Sequence, residues 1–562
     1  KAVQMKEQIE TRAKDTSLQC TSFDVRNQVN EMFSDFRKFI APTYYHDRCE
    51  RSLHMHLYVM HKREVLLTLA GFLSTFILLL FIGLAGPNVT KLDSRRASDI
   101  FRTNKINETI ASQLLPRGPF VITTQQMSTY SDHICLWVTF YLKNEEETEA
   151  FNKKFVISLK IIGRDEETGN DNNGVVILNE DYNRSIGRLH HLSCSGKKCD
   201  AIQALHLEFL EFAFYQIEIR FHDLDSFNTK FTINDIDFTF QSINPSFTTL
   251  CIWFRFVFLF ITFSITCWFT HSLHRYQVVD WSMEQKWNVA LLIFLIFYNN
   301  PFFPMIFLFG SEIPRIIEII FQTTFFCCVL LFWVSFFHGI RQNSRSFVKF
   351  YLPKIFLVGS LWLFIIYCAT WSSVEKLQKP TLDEMSAFDE SVSLKTLNAL
   401  FYIFISMYFI YLFVLMMAAF TELRSMPYFD LRLKLQTFLL IFTLLISVLV
   451  VILSSTSSSD TPIGKNDMTS IPFLQMLPWL YESSSSASFL SIFSISNLYV
   501  CFCCYFYYPS TTALMDSRIV RDNPTLSMIN DSDEDVIYGS DTEQPLNQPK
   551  LIDTKNDEEE SD

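Results

Sequence analysis

Residues 289–309 read VALLIFLIFYNNPFFPMIFLF. The run is apolar and long enough to cross a bilayer, which takes about 20 residues. Asn299, Asn300, Pro301 and Pro304 interrupt it. Proline removes a backbone donor and clashes with the preceding turn. In hydrocarbon such a break is tolerated only where protein or a watery cavity covers the freed backbone groups. The stretch therefore reads as a membrane span whose broken middle faces the interior of a helix bundle.

The same kind of run recurs along the chain. Residues 64–86, EVLLTLAGFLSTFILLLFIGLAG, form a first apolar segment directly after Lys62 and Arg63. About 160 residues without a membrane-length run follow. Seven spans are then predicted near 249–270, 288–309, 316–338, 354–371, 396–419, 435–454 and 487–508. Of 562 residues, 49% are apolar and 57 are Phe, and their clustering into long runs predicts a multi-pass α-helical membrane protein with eight spans. The 14 glycines argue against glycine-rich phosphate loops and against helix pairing built on small residues. The chain starts at Lys1, and no cleavable signal peptide is visible, so the first span reads as a retained signal anchor.

The expected organisation is a cytosolic segment 1–62, a first span 63–86, a luminal domain 87–248, a seven-helix domain 249–510 and an acidic tail 511–562. That tail holds 14 Asp/Glu against 4 Lys/Arg, so it carries most of the net charge of −12. No basic patch points to nucleic acid. With residues 1–62 cytosolic, the short cytosolic loops hold nine Lys/Arg and the opposite loops five. This bias places both termini in the cytosol. Sequons at Asn88, Asn107 and Asn183 all fall in the luminal segment, Asn88 close to the membrane. FVISLKII (155–162), FYQIEIRF (214–221) and FTINDIDFTF (231–240) alternate like strands, with VITT (121–124), LWVTFYL (136–142) and GVVIL (174–178) as shorter candidates. Six to eight such strands predict an all-β sandwich. Cys194 and Cys199 flank the turn-like insert SGKK and are expected to pair in an oxidising compartment, the alternative being two reduced thiols on a loop. Cys135 is left over as a buried thiol.

CIWFRFVF (251–258), DWSMEQKWNVALL (280–292), FYNNPFFP (297–304), FHGIRQ (337–342), FYLPK (350–354), ELRSMPYFDLRLK (422–434) and DNPTLSMINDSDEDVIYGSD (522–541) together resemble the transmembrane protein 181 family. That family stands with the Wntless-like, Golgi-dynamics (GOLD) domain seven-helix proteins. The resemblance implies a luminal β-sandwich on a receptor-like bundle, and relatives in the wider group escort secreted or membrane cargo. The 181 family is associated with binding a bacterial genotoxin at the cell surface. Cys194 and Cys199 fit a family cysteine pair with one extra residue between them, while Cys135 matches no family position.

Several side chains are candidates for a site. Asn299 and Asn300 are expected inside the bundle, with Pro301 and Pro304 opening a cavity for a lipid or acyl chain of the kind the Wntless-like group suggests. The alternative is that the amides merely satisfy backbone groups freed by proline. Glu318 and Gln322 lie four residues apart on one helix face. A carboxylate there either joins the Asn pair or pairs with Arg315 or Arg255. Arg255 either snorkels to the luminal surface or contacts Glu318. In the tail, Ser532 and Ser540 precede acidic residues and suit an acid-directed kinase. The tyrosine pattern at 428–431 hugs the membrane. His190-His191 reads as a strand or surface feature. No Gly-x-Ser-x-Gly, His-Glu-x-x-His or P-loop is present, and the receptor motifs Asp-Arg-Tyr and Asn-Pro-x-x-Tyr are missing. The expectation is a non-enzymatic protein of the secretory pathway and cell surface, without cofactor or metal. Its partners would be membrane lipid, a secreted or membrane protein ligand, and a bacterial toxin. An orphan G-protein-coupled receptor and a small-solute or lipid transporter are the rival readings.

Overall fold

The computed structural model describes residues 55–103, 105–143, 150–165, 174–179, 188–195, 197–224, 232–278, 280–308, 313–340, 347–378, 392–422, 430–458 and 485–510. Asn183, Ser532, Ser540 and Tyr428 lie outside the described residues. Eight of the described helices are long and apolar enough to span a membrane. They are α1 (Lys62–Leu84), α4 (Pro245–Leu273), α5 (Met283–Tyr298), α6 (Ile313–Gly339), α7 (Leu352–Gln378), α8 (Val392–Glu422), α9 (Asp430–Ser458) and α10 (Ser486–Phe506). Two short helices, α2 (Ala97–Thr103) and α3 (Glu108–Leu114), belong to the segment between α1 and α4.

The ends of these helices are set by polar chemistry that hydropathy does not register. At α4 the Asn244 side chain accepts from the Ser246 N–H at 3.1 Å and Pro245 occupies the first turn, so the helix begins four residues before its apolar run. At α5, Ser282 and Gln285 form a reciprocal capping box. The same helix stops at Tyr298, and Asn300 adopts φ 46°, a left-handed conformation that asparagine tolerates better than most residues. A single 3₁₀ turn, Phe303–Phe307, completes the span.

Small residues do bring two helices together, contrary to the expectation drawn from the glycine count. A Cβ on Gly83 would lie 2.8 Å from the Ala487 Cα, and one on Gly86 2.9 Å from the Ser486 Cβ. Only glycine permits that approach of α1 to α10. The Ser486 hydroxyl donates to the Pro87 carbonyl across the same contact.

The segment between α1 and α4 folds as a ten-stranded antiparallel sheet: β1 (Thr90–Arg96), β2 (Phe120–Thr123), β3 (His133–Lys143), β4 (Ala150–Arg164), β5 (Val175–Asn179), β6 (Arg188–Ser195), β7 (Lys198–Cys199), β8 (Ile202–Glu208), β9 (Phe214–His222) and β10 (Thr232–Ile243). The strand order is β1-β10-β3-β7-β6-β4-β9-β2, with β8 also on β3 and β5 also on β4. The sandwich is thus one curled sheet. Its inner face closes on a single core that takes Ile134, Leu136, Val138 and Phe140 from β3, Phe155 and Leu159 from β4, Ile217 and Phe221 from β9, and Phe238 from β10. Cys194 and Cys199 face each other across β6 and β7 and are joined as a disulfide. β3 is buried on its second face as well, where Cys135 and Trp137 meet Ala201.

Phe238 is fully buried, with ring centroids 5.2 Å from Phe120 and 6.5 Å from Phe221. Phe238→Ala is expected to cost about 3–5 kcal/mol. The measurement is limited proteolysis of the full chain in detergent, where the variant's sheet should be cleaved at a lower denaturant concentration while the helical spans stay intact.

Candidate functional site

Two polar sites stand out, one inside the bundle and one where the sheet meets it. In the first, Asn299 caps α5 and its Nδ2 donates to Thr262 Oγ1 of α4 at 3.1 Å and to Asn497 Oδ1 of α10 at 2.9 Å. Asn497 Nδ2 donates back to Asn299 Oδ1 at 3.1 Å and to the Phe493 carbonyl at 2.9 Å. All three residues are fully buried. The amide pair ties three helices together, and its hydrogen-bonding capacity is used up in doing so. Asn300 is also buried, and its Oδ1 accepts from the Phe302 N–H at 3.1 Å. Pro301 and Pro304 are exposed on the outer side of the turn. Asn299 thus serves neighbouring helices, Asn300 alone serves a backbone group of the break, and Pro301 and Pro304 stand on the exposed turn.

Arg255 does not snorkel. It is buried, and its Nη2 donates to Glu318 Oε1 at 2.5 Å, while Gln322 Nε2 donates to the same oxygen at 2.9 Å. The Phe303 ring lies under the guanidinium, 4.0 Å from centroid to Cζ, so the turn after Asn300 covers the ion pair. The sequence brought Arg255, Glu318 and Gln322 together but missed Asn497 and Thr262. At the opposite end of the bundle a further buried set involves Tyr499, whose hydroxyl accepts from Trp333 Nε1 at 2.9 Å and Gln436 Nε2 at 2.5 Å, beside an Arg432–Glu284 ion pair.

The second site was invisible from the sequence. Arg315, two residues into α6, reaches Asp132 Oδ1 through Nη2 at 2.9 Å and Glu208 Oε1 through Nη1 at 2.9 Å. Register explains why both carboxylates are there. Asp132 precedes β3 and Glu208 ends β8, and His133 pairs with Glu208 while Cys135 pairs with His206. Alternation puts His133, Cys135, His206 and Glu208 on one sheet face. His206 Nε2 lies 3.1 Å from Glu208 Oε1, and its Nδ1 lies 2.8 Å from Cys135 Sγ. His133 hydrogen-bonds the same thiol and lies 3.5 Å from Asp132 Oδ2. The result is a closed ring of alternating sign: Arg315, Glu208, His206, Cys135, His133, Asp132 and back to Arg315. Two further contacts hold the same edge, Thr248 Oγ1 donating to the Tyr130 carbonyl at 2.9 Å and the Tyr130 ring against Phe307 at 5.4 Å.

The ring sets its own protonation. Burial alone would push the Cys135 thiol up, but the charges of His206 and His133 and hydrogen bonds from both outweigh it and bring the thiol down from 9.0 to about 6. Burial likewise opposes ionisation of Asp132, and Arg315 together with the His133 hydrogen bond holds it at about 2. The direct thiol–imidazole contact leaves no room for a cation between them, and among the described residues no group of three His, Cys, Asp or Glu is placed to hold a metal.

A curled strand domain docked by ion pairs onto seven helices, with an eighth helix before it, defines an integral membrane protein of the seven-helix class with an appended sheet. Residues 244–511 match the model described as Wntless-like, transmembrane domain, and residues 118–243 match TMEM181, GOLD domain. The chain is 35% identical over 508 residues to Transmembrane protein 181 of Homo sapiens, which covers 90% of this chain and 98% of that relative. It belongs to the transmembrane protein 181 family.

Two outcomes follow from these geometries. Asn299→Ala and Asn497→Ala should each cost about 1–3 kcal/mol, because each leaves the partner amide buried and unsatisfied. The double variant should melt barely below either single one, a coupling read by thermal unfolding in detergent. The Cys135 pKa lies below that of the unfolded thiol, so its stabilisation is full above about pH 9 and is lost as pH falls through about 6. Cys135→Ser should therefore melt a few degrees below the natural chain at pH 9, with the gap closing toward pH 6.

Proposed function

We propose that this membrane protein works in the secretory pathway and at the cell surface, binding a protein ligand or cargo through its sheet domain and the adjoining end of the bundle. Both termini would be cytosolic and the sheet luminal or extracellular. The Lys/Arg bias of the loops, the Cys194–Cys199 disulfide and the exposed positions of Asn88 and Asn107 support that orientation. Lipid surrounds the helices, and glycans would sit at Asn107, Asn88 and Asn183.

The observation that carries a protein ligand is the strand β5. Among the described strands it pairs with β4 alone, and its Val175, Val176 and Ile177 are 54%, 52% and 38% exposed. Folded domains ordinarily blunt such an apolar edge. With no second described strand on it, the edge would offer backbone donors and acceptors plus apolar side chains to an extended segment of a partner, the geometry of strand addition. The relative's family association with a bacterial toxin is one instance of a protein ligand this edge could take. The Asn299–Asn497–Thr262 contact closes the space between α4, α5 and α10 at that level with hydrogen-bonded side chains and gives no support to a solute path there.

The test is proximity labelling from the sheet domain of the full-length protein in cells, compared with Val176→Lys. Secreted or membrane proteins enriched by the natural chain and lost with the lysine variant, at equal surface expression, are the expected result. A partner set unchanged by the lysine, or containing only cytosolic proteins, rules the reading out.

A further inference from the structure

We propose that Cys135, His206 and Glu208 form a built thiolate site that small hydroperoxides oxidise, and that this oxidation releases the sheet from its ionic attachment to α6. The three side chains have the order of a nucleophile, a base and an orienting carboxylate. Sγ and Nδ1 are 2.8 Å apart, and Nε2 and Glu208 Oε1 are 3.1 Å apart. Such a chain keeps the imidazole protonated beside a thiolate. His133 donates as well, so the sulfur is held as an anion by two neighbouring rings whose centroids are 5.1 Å apart. The lowered thiol pKa agrees with this geometry.

The site selects its reactant by size. Cys135 is 1% exposed, enclosed with Trp137 and Ala201. Bulky disulfides and alkylating agents are kept out, and hydrogen peroxide, little larger than water, is the oxidant that fits. The thiolate sulfur attacks one peroxide oxygen. The S–O bond forms as the O–O bond breaks, and sulfur gives up the two electrons that the peroxide takes. The departing hydroxide takes the proton carried on His206 Nδ1 and leaves as water. The products are a sulfenic acid at Cys135 and a neutral imidazole.

Both charges on that side of the ring vanish in this step. Glu208 loses its imidazolium neighbour and His133 loses the thiolate. Asp132 keeps both Arg315 and His133, but Glu208 keeps Arg315 without the imidazolium, and the attachment weakens on that side. No other free cysteine is available to do this in the sheet domain. Apart from the disulfide, Cys135 is its one cysteine, and the remaining free thiols of the described residues lie in membrane spans.

The experiment uses the full-length protein in lipid nanodiscs, exposed to hydrogen peroxide across pH 5–9. The oxidant is removed with catalase, and the protein is then denatured in dimedone and its peptides are weighed. The expected result is a dimedone adduct at Cys135 that forms at a rate half-maximal near pH 6 and level above about pH 7. In His206→Asn the rate at pH 7 should fall about tenfold, with the midpoint moving toward about 8.5. An unmodified Cys135 after peroxide treatment of the folded protein, or a His206→Asn rate equal to the natural one, overturns the proposal. Should that variant fail to assemble, the natural chain decides alone: a rate whose midpoint lies near about 8.5 instead of near 6 has the same force.

Discussion

One guanidinium, that of Arg315, makes the ionic part of the junction between sheet and helices. It bonds two partly or fully buried carboxylates at once, each of which also has a histidine beside it. The arrangement is long-range in a strict sense. Asp132 and Glu208 come together only if β3 and β8 pair in the observed register, and Arg315 meets them only because α6 begins at Ile313. A slip of β8 by one residue against β3 would turn His206 and Glu208 away from Cys135 and take Glu208 from Arg315. The ionic ring is therefore a check on register as well as an attachment.

Inside the bundle the same need is met without net charge. A broken span must dispose of backbone groups that hydrocarbon will not solvate. Here the helix ends cleanly at Tyr298, Asn300 turns the chain, and Asn299 reaches sideways to Asn497 and Thr262. The residues beyond the break then serve a second purpose, since Phe303 roofs the Arg255–Glu318 pair. The prolines, conspicuous in the amino-acid order, face outward and take no part in either contact.

Much of this was legible in the amino-acid order. All eight spans were, because an apolar run of about 20 residues matches the thickness of a bilayer and is longer than most buried core helices, although caps such as Asn244 and Ser282 moved their ends. β4, β9 and β10 showed through their alternation. β8 did not: IQALHLE is rich in Leu and Ala, carries one β-branched residue, and takes its strand conformation from pairing with β3. β6 was hidden by its His pair, of which His190 is buried beside Phe155. Arg255, Glu318 and Gln322 could be gathered because helical spacing and span depth constrain them. Asn497 sits in a serine-rich helix 198 residues from Asn299, and nothing local marks it as a partner. Cys135 looked like a leftover for the same reason. Its chemistry comes from a histidine 71 residues away on a strand that was not foreseen.

The glycine contact between α1 and α10 bears on what counts as a unit here. Sequence matching separates a region from residue 244 onward and leaves the first span outside it. Physically, that first helix seals the last one: Gly83 and Gly86 admit Ala487 and Ser486, and Phe72 stacks edge-on against Phe502 at 4.6 Å. The start and finish of the membrane portion are thus neighbours, and the helices close into a loop. The last span, with five serines along its length, acquires its proper surroundings only in the company of the first, so the two must find each other across all the membrane helices that lie between them in the chain.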